Sequence, residues 1–306
     1  MEIKKKNNLK SRGFITIATG HEKYHKMAYV LLKSYRNTTA NPERFAVITD
    51  KKSRYTAAFD DIVLVKDATK TYMDKIDLLI NLPYDETIFI DADCIAYNDL
   101  NYYWKAFENS TDMSAFGRIM DLNSEEGWYN KDKLGKLKSK VDYCQDFHGG
   151  IYYFRKSKVL NKIYQYCMEI SKNYSEYQFK GFQKPADEPI FALAMAATNC
   201  KATKSEYKYF AWLRRVKKLK VDFFEKKLSY TVENKRIDDG MLLHFGTSHT
   251  ILPLYLIESK KVLHFDKYKE KWGITKKIKN YISAYVNGCG LLIKHAWKLF
   301  NKRNNI

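Results

Sequence analysis

Hydrophobic positions along the first hundred residues fall into short unbroken runs separated by amphipathic stretches. Phe14-Ile15-Thr16-Ile17-Ala18 reads as a first strand, broken by Gly20. From Tyr24 to Tyr35 the apolar positions Met27, Val30, Leu31 and Tyr35 recur at helical spacing. Asn41-Pro42 marks a turn, and Phe45–Thr49 and Asp61–Val65 give the second and third strands. Apolar residues at 72, 73, 76, 79 and 80 predict a helix over Tyr72–Leu82, ended by Pro83. Thr87–Ile90 is the fourth strand. Runs this apolar suit strands buried on both faces of a mostly parallel sheet. Their alternation with helices implies βαβ units and a doubly wound α/β fold. Right-handed crossovers would set the carboxyl ends of strands one, two and four on one rim, where such sheets bind ligands.

The pattern continues with changed spacing. Asp99 is placed to cap a helix through Phe107, and Met113–Gly117 reads as a strand. Residues 118–146 lack clear periodicity and are expected to form a long loop. His148-Gly149-Gly150 then opens the strand Ile151–Phe154, and Ser157 is the expected N-cap of an amphipathic helix to about Asn173. Asp187-Glu188-Pro189 introduces a helix over Ile190–Ala197. The stretch 207–230 is basic and aromatic, an edge hairpin or a surface excursion. Met241–Gly246 reads as a late strand carrying His244. The expected organisation is a basic tail over 1–12, one Rossmann-like mixed-sheet domain over 13–265, and a basic amphipathic helical extension over 266–306.

Charge changes this picture mainly at the C-terminal end. The chain of 306 residues carries a formal net charge of +19, and its 45% hydrophobic content excludes a disordered polymer. Such an excess predicts an acidic partner without choosing among nucleic acid, an anionic membrane surface and phosphorylated ligands. From Lys267 onward, ten Lys or Arg face Glu270 as the single acid, about half of the net charge. Ile274, Ile278, Tyr281, Ile282 and Tyr285 keep helical spacing there, as do Leu291, Leu292, Ala296, Leu299 and Phe300. Apolar on one side and flanked by Lys, Trp and Tyr, residues 267–306 match a helix lying in a membrane interface. A helix packed on the main domain fits the same spacing. The five cysteines never form C-x-x-C, and the basic start has no apolar h-region. Reduced thiols and a cytoplasmic location are therefore expected, peripheral at the inner membrane face, with no run of 18 apolar residues to span it.

The chemistry centres on Asp91-Ala92-Asp93, which follows the fourth strand. Side chains two apart in extended chain point to the same side, so both carboxylates reach one centre. Two such charges at a buried strand end are costly unless a cation offsets them, and a hard dication, Mg²⁺ or Mn²⁺, answers this. A plain turn after a strand also accounts for aspartates there. Asp187-Glu188 likewise suits ordinary helix punctuation, with Pro189 just inside the helix.

The order of these pieces resembles the GT-A-fold nucleotide-sugar glycosyltransferases, most closely glycosyltransferase family 8. Those pieces are Ala18-Thr19-Gly20 at a strand end, a Lys75-containing helix, hydrophobic-Asp91-Ala92-Asp93, Gly149-Gly150 by a strand, Asp187-Glu188 and a late His244. The likeness spans about residues 13–250. It implies a Mn²⁺- or Mg²⁺-dependent enzyme that moves a hexose from a UDP-sugar to a hydroxyl of a glycan or lipid-linked acceptor, with retention. It further implies that Asp91, Asp93 and His244 hold the metal against the donor diphosphate, and that Ala18, Thr19 and Gly20 wall the nucleoside pocket. Lys75 would meet phosphate or sugar hydroxyls, Gly149 and Gly150 would admit the donor sugar, and Asp187 and Glu188 would bind that sugar near the reacting face.

The chain departs from the family pattern twice. Glu188 stands where the family has glutamine. Thr247 and Thr250 replace the glycine and lysine that follow the histidine, so a phosphate contact would have to come from His249 or a basic residue within 214–220. Two other classes stay open at this point. One is a non-catalytic polyanion- or membrane-binding protein. The other is a nucleotidyltransferase, for which Ala18-Thr19-Gly20-His21-Glu22 makes a poor phosphate loop. Specific nucleic-acid binding is not expected.

Overall fold

The computed structural model describes residues 11–268; most of the basic tail expected over 1–12 and of the helical extension expected over 266–306 lies outside the described residues. In chain order the main elements begin β1 (Arg12–Ala18), α1 (Glu22–Thr38), β2 (Arg44–Thr49), β3 (Asp61–Leu64), α2 (Met73–Asp77), β4 (Glu86–Ile90), β5 (Cys94–Ala96) and α3 (Tyr102–Ala106). They continue β6 (Met113–Asp121), β7 (Tyr143–Arg155), α4 (Lys158–Lys172), α5 (Tyr174–Tyr177), α6 (Asp187–Ala196), β8 (Thr203–Lys204) and β9 (Ala211–Trp212). The last are β10 (Lys217–Asp222), β11 (Lys227–Val232), β12 (Lys235–Ile237), β13 (Leu242–His244), α7 (Pro253–Leu263) and α8 (Phe265–Tyr268).

The apolar runs form the centre of a seven-stranded mixed sheet ordered β3-β2-β1-β4-β7-β6-β8. β1 pairs in parallel with β2 and β4, placing Phe14 beside Phe45 and Ile88, and β3 extends the parallel block beyond β2. β7 runs antiparallel to both β4 and β6. The carboxyl ends of β1, β2 and β4 therefore share one rim, as the crossover rule predicts, and Asp91 leaves β4 there with its N–H bonded to Gly150 O at 3.0 Å.

The chain divides into two compact units. One comprises the described residues up to Ala28, Glu43–Ala92 and Tyr102–Ser205 and holds the seven-stranded sheet. Its core is aromatic: Tyr152 lies 4.9 Å from Phe191 and 6.0 Å from Phe89 between ring centroids. The other comprises Tyr29–Pro42, Asp93–Asn101 and the chain from Glu206 onward. It contains two three-stranded sheets, β5-β13-β9 and β10-β11-β12. The buried Glu258 of α7 anchors this unit, accepting from Tyr97 Oη at 3.1 Å and Phe223 N at 2.9 Å, with Lys261 Nζ at 2.7 Å.

Residues 118–146 are not one long loop. β6 runs on through Asp121 and β7 begins at Tyr143, so the two strands form a long hairpin whose far end pairs Arg118 with Asp146 and Asp121 with Tyr143. Polar side chains mask the strand pattern because the ladder there is held by an ion pair, Arg118 Nη2 to Asp146 Oδ2 at 2.9 Å, where a buried strand would be apolar. The register shifts between Ala115 and Gly117, where a Cβ on Gly117 would lie 2.1 Å from Asp146 O. Gly149 and Gly150 consequently sit within β7 and do not open it. The helix expected over Tyr72–Leu82 is realised as α2 followed by a tighter turn at Leu78–Ile80. Asp187 is the first residue of α6, with Ala186 in the N-cap position.

Candidate functional site

In the first unit, residues far apart in sequence meet around one ammonium. Lys75 Nζ lies 3.0 Å from Asp91 Oδ1, 3.1 Å from Asp187 Oδ2, and donates to Gly149 O at 3.1 Å. Four elements bring them together. α2 supplies Lys75, the end of β4 supplies Asp91, β7 supplies Gly149, and the first turn of α6 supplies Asp187. Tyr152, three residues along β7, donates from Oη to Asp187 Oδ2 at 2.8 Å, and Glu188 Oε1 accepts from Gly149 N at 3.3 Å. The crowding explains the glycine. A Cβ at Gly149 would stand 2.8 Å from Glu188 Cγ, 2.8 Å from Tyr152 Oη and 2.9 Å from Asp187 Oδ2.

Three carboxylates and one cation in a half-buried cluster set unusual protonation states. For Lys75, burial opposes the charge, but Asp187, Asp91 and Glu188 outweigh it and hold the ammonium above the ordinary lysine range. Burial and the neighbouring Asp187 push the Glu188 carboxyl up to about 7, against the pull of Lys75. Burial, then Asp187 and Glu188, raise the Tyr152 phenol well above its usual value, so it stays a donor. A carboxyl titrating near neutrality beside a lysine and two aspartates is the profile of a group that exchanges protons.

Ala18 ends β1, and Thr19 and Gly20 follow it on the same rim. Ala18 is fully buried, and Thr19 Oγ1 donates to Asp74 Oδ2 at 2.8 Å, so its hydroxyl serves the fold. Asp74 also accepts from Thr69 N at 2.7 Å and Lys70 N at 3.0 Å, tying that loop to the strand end. Gly20 has φ +80° and donates from N to Asp50 Oδ2 at 3.1 Å.

In the second unit, Asp93 and His244 are in contact. β5 and β13 pair antiparallel with His244 opposite Cys94, and His244 Nε2 lies 2.9 Å from Asp93 Oδ1. Thr247 Oγ1 donates to Asp93 Oδ2 at 3.1 Å. Donor atoms of Asp93, Cys94 and His244 all lie within 4.8 Å of one another. One carboxylate oxygen and one imidazole nitrogen fit a borderline-hard dication such as Mn²⁺, whereas the Cys94 thiol would favour a softer ion such as Zn²⁺. Arg214 Nη2 donates to Ser248 Oγ at 3.1 Å, and Ser248 Oγ meets His249 Nδ1 at 3.0 Å. Burial, then Arg214 and His244, lower the His249 pKa.

The sequence-predicted residues thus fall into two groups. Lys75, Asp91, Gly149, Gly150, Asp187 and Glu188 gather in the first unit, and Asp93 and His244 in the second; the unit boundary falls between Ala92 and Asp93. Asp91 is bonded to Lys75. Tyr152, Cys94 and Thr247 join these clusters without having been singled out as site residues. Tyr152 lies on the same strand as Gly149, and Thr247 occupies the departure from the family pattern, so both carried a signal; Cys94 beside Asp93 was legible only as a reduced thiol.

No protein-family model matches the chain, and no curated sequence matches it. Among solved structures it is similar to galactosyltransferase LgtC in complex with donor and acceptor sugar analogs, at 14% identity and TM-score 0.48, covering 88% of this chain and 95% of that one. It is similar to mouse xyloside xylosyltransferase 1 in its apo form, at 10% identity and TM-score 0.48, covering 78% of this chain and 99% of that one. It is also similar to an active-site mutant of LgtC, at 13% identity and TM-score 0.47, covering 76% and 87%.

Proposed function

We propose that the protein is a GT-A-type glycosyltransferase that moves a hexose from a UDP-sugar to a hydroxyl of a glycan or lipid-linked acceptor, with a divalent metal and with retention. The observation that carries this reading is the convergence of Asp91, Gly149 and Asp187 on Lys75 Nζ at the carboxyl end of β4. That rim is where open α/β sheets hold ligands. The choice of UDP, of retention and of a hexose rests on the ordered motifs.

The roles follow from the local chemistry. Asp93 and His244 would hold Mn²⁺; bound there, the ion would offset charge growing on the departing diphosphate. Lys75 fixes the orientation of Asp91 and Asp187. Tyr152 donates to the same Asp187 oxygen that Lys75 meets, so that carboxylate is presented in one rotamer. Gly149 lets a sugar ring approach the backbone closely, since no side chain stands there. Glu188, titrating at about 7, would take the proton of the incoming hydroxyl or stabilise positive charge at the anomeric carbon. The membrane partner expected through 267–306 belongs to this proposal, on sequence grounds.

Purified protein incubated with a panel of nucleotide sugars, with and without Mn²⁺, tests the reading. Release of UDP from at least one UDP-hexose, dependent on the metal, is expected. Folded protein that releases nucleoside diphosphate from none of them would overturn it.

A further inference from the structure

The sheet β10-β11-β12 in the second unit has two unlike faces. Register places Lys220 opposite Ser229, Lys227 opposite Asp222, Lys217 opposite Thr231, and Thr231 opposite Arg236. Residues directly opposite share a face, so Lys217, Lys220, Lys227 and Arg236 all project from one side. Arg236 Nη2 donating to Ser229 Oγ at 2.9 Å lies on that side too. The other side is apolar except at its end, where Lys235 stands opposite Val232. Leu228 and Tyr230 are buried there, packed on Gly240, where a Cβ would lie 2.6 Å from the tyrosine ring.

Lys217, Lys220 and Lys227 are exposed, and none has an ion-pair partner among the described residues. On the basic face Asp222 is engaged by Lys261 Nζ at 3.1 Å, and Arg236 Nη2 is paired with Asp238 Oδ1 at 2.7 Å, which leaves the three lysines as its open charges. Around this sheet from Arg214 to Arg236 nine Lys or Arg stand against three acids. Just before β10 in the chain, the guanidinium carbons of Arg214 and Arg215 lie 6.0 and 5.3 Å from the half-buried Trp212 ring of β9, an aromatic–basic pairing typical of the headgroup level of a bilayer.

The following chain points the same way. Phe265 of α8 packs on Phe223 and Phe224 in the β10–β11 turn, with ring centroids 5.3 and 6.0 Å apart. Residues 269–306, which continue from α8, hold nine Lys or Arg and one acid. That segment carries the sign of the sheet and cannot neutralise it.

We infer that the β10-β11-β12 face is a docking surface for an anionic phospholipid bilayer, with α8 packed on its β10–β11 turn. Its charges spread across three strands, about 10 Å of width at the usual strand spacing. A flat two-dimensional array matches a plane of headgroups, whereas a linear acidic polymer is normally held in a groove. The inference needs no catalysis and stands or falls apart from sugar transfer.

The test is co-sedimentation of the full chain with phosphatidylglycerol/phosphatidylcholine vesicles and with phosphatidylcholine alone. The wild type is expected on the anionic vesicles only, with binding that falls as salt rises. Lys217→Gln/Lys220→Gln/Lys227→Gln is expected to lose roughly fivefold per residue, about a hundredfold in all, with unchanged thermal melting. A control, Lys131→Gln/Lys133→Gln/Lys136→Gln, removes the same charge from exposed positions in the first unit and should bind like the wild type. Equal vesicle binding by the sheet variant, or an equal loss in the control, would overturn the inference. So would a sheet variant that loses only binding to soluble polyphosphate, which would identify an acidic polymer as the partner.

Discussion

Replacing Glu188 by glutamine should make the protein more stable at pH 8 and leave it nearly unchanged at pH 5. The glutamine has the shape of the protonated acid and keeps an oxygen for Gly149 N, which Glu188 Oε1 accepts at 3.3 Å. The Glu188 carboxyl titrates near 4.5 in the unfolded chain and at about 7 in the folded one, raised by burial and by Asp187. Between those values the folded state binds a proton that the unfolded state has released. The contribution of this group to stability is therefore full below pH 4.5 and is lost as pH rises through 7. At 1.36 kcal/mol per pH unit the loss by pH 8 is at most about 3 kcal/mol. Lys75 keeps its charge across this window, so it does not blur the comparison. Urea denaturation of the wild type and Glu188→Gln at pH 5 and pH 8 reads the effect. The variant should gain about 3 kcal/mol over the wild type at pH 8 and less than about 1 at pH 5. An offset equal at both pH values, or a variant weaker at pH 8, would refute the account of this cluster.

Other consequences are simpler. Lys75→Met leaves Asp91 and Asp187 facing each other without their shared cation, and should cost at least about 2 kcal/mol in urea denaturation; a neutral result would mean the carboxylates are solvated. Gly149→Ala places a methyl against Glu188, Tyr152 and Asp187, and should lose about 1–3 kcal/mol of stability. It should also raise KM for the donor, and unaltered melting would contradict the packing described. Tyr152→Phe removes one hydrogen bond to Asp187 and should cost about 1–2 kcal/mol, measurable in the same way.

The centre of the fold was legible because its physics is local. Phe14–Ala18, Phe45–Thr49 and Thr87–Ile90 are apolar on both faces, a pattern that only a covered parallel sheet satisfies, and the crossover rule then aligned their ends. The far half of the β6–β7 hairpin was hidden for the opposite reason. Arg118 and Asp146 stabilise a solvent-facing ladder by charge, and charged residues read as loop. The division at Ala92 was invisible in the sequence, since Asp91-Ala92-Asp93 reads as one motif, yet its carboxylates have different partners: Lys75 for Asp91, His244 and Thr247 for Asp93. Contacts such as Tyr152 with Asp187 depend on where β7 meets α6, a tertiary fact that no spacing encodes. The amphipathic sheet over 217–237 appeared in sequence only as basic, aromatic chain, because a bulge near Lys217–Lys220 interrupts its alternation.

The central claim is that this chain releases UDP from a UDP-hexose with a metal held by Asp93 and His244. Its most direct test is the rate of UDP release against Mn²⁺ concentration for the wild type and Asp93→Asn, alongside calorimetric titration of Mn²⁺ into each. The account predicts saturable activation of the wild type, and a variant that stays folded but has lost both metal binding and turnover. A variant that binds Mn²⁺ and turns over like the wild type would contradict it.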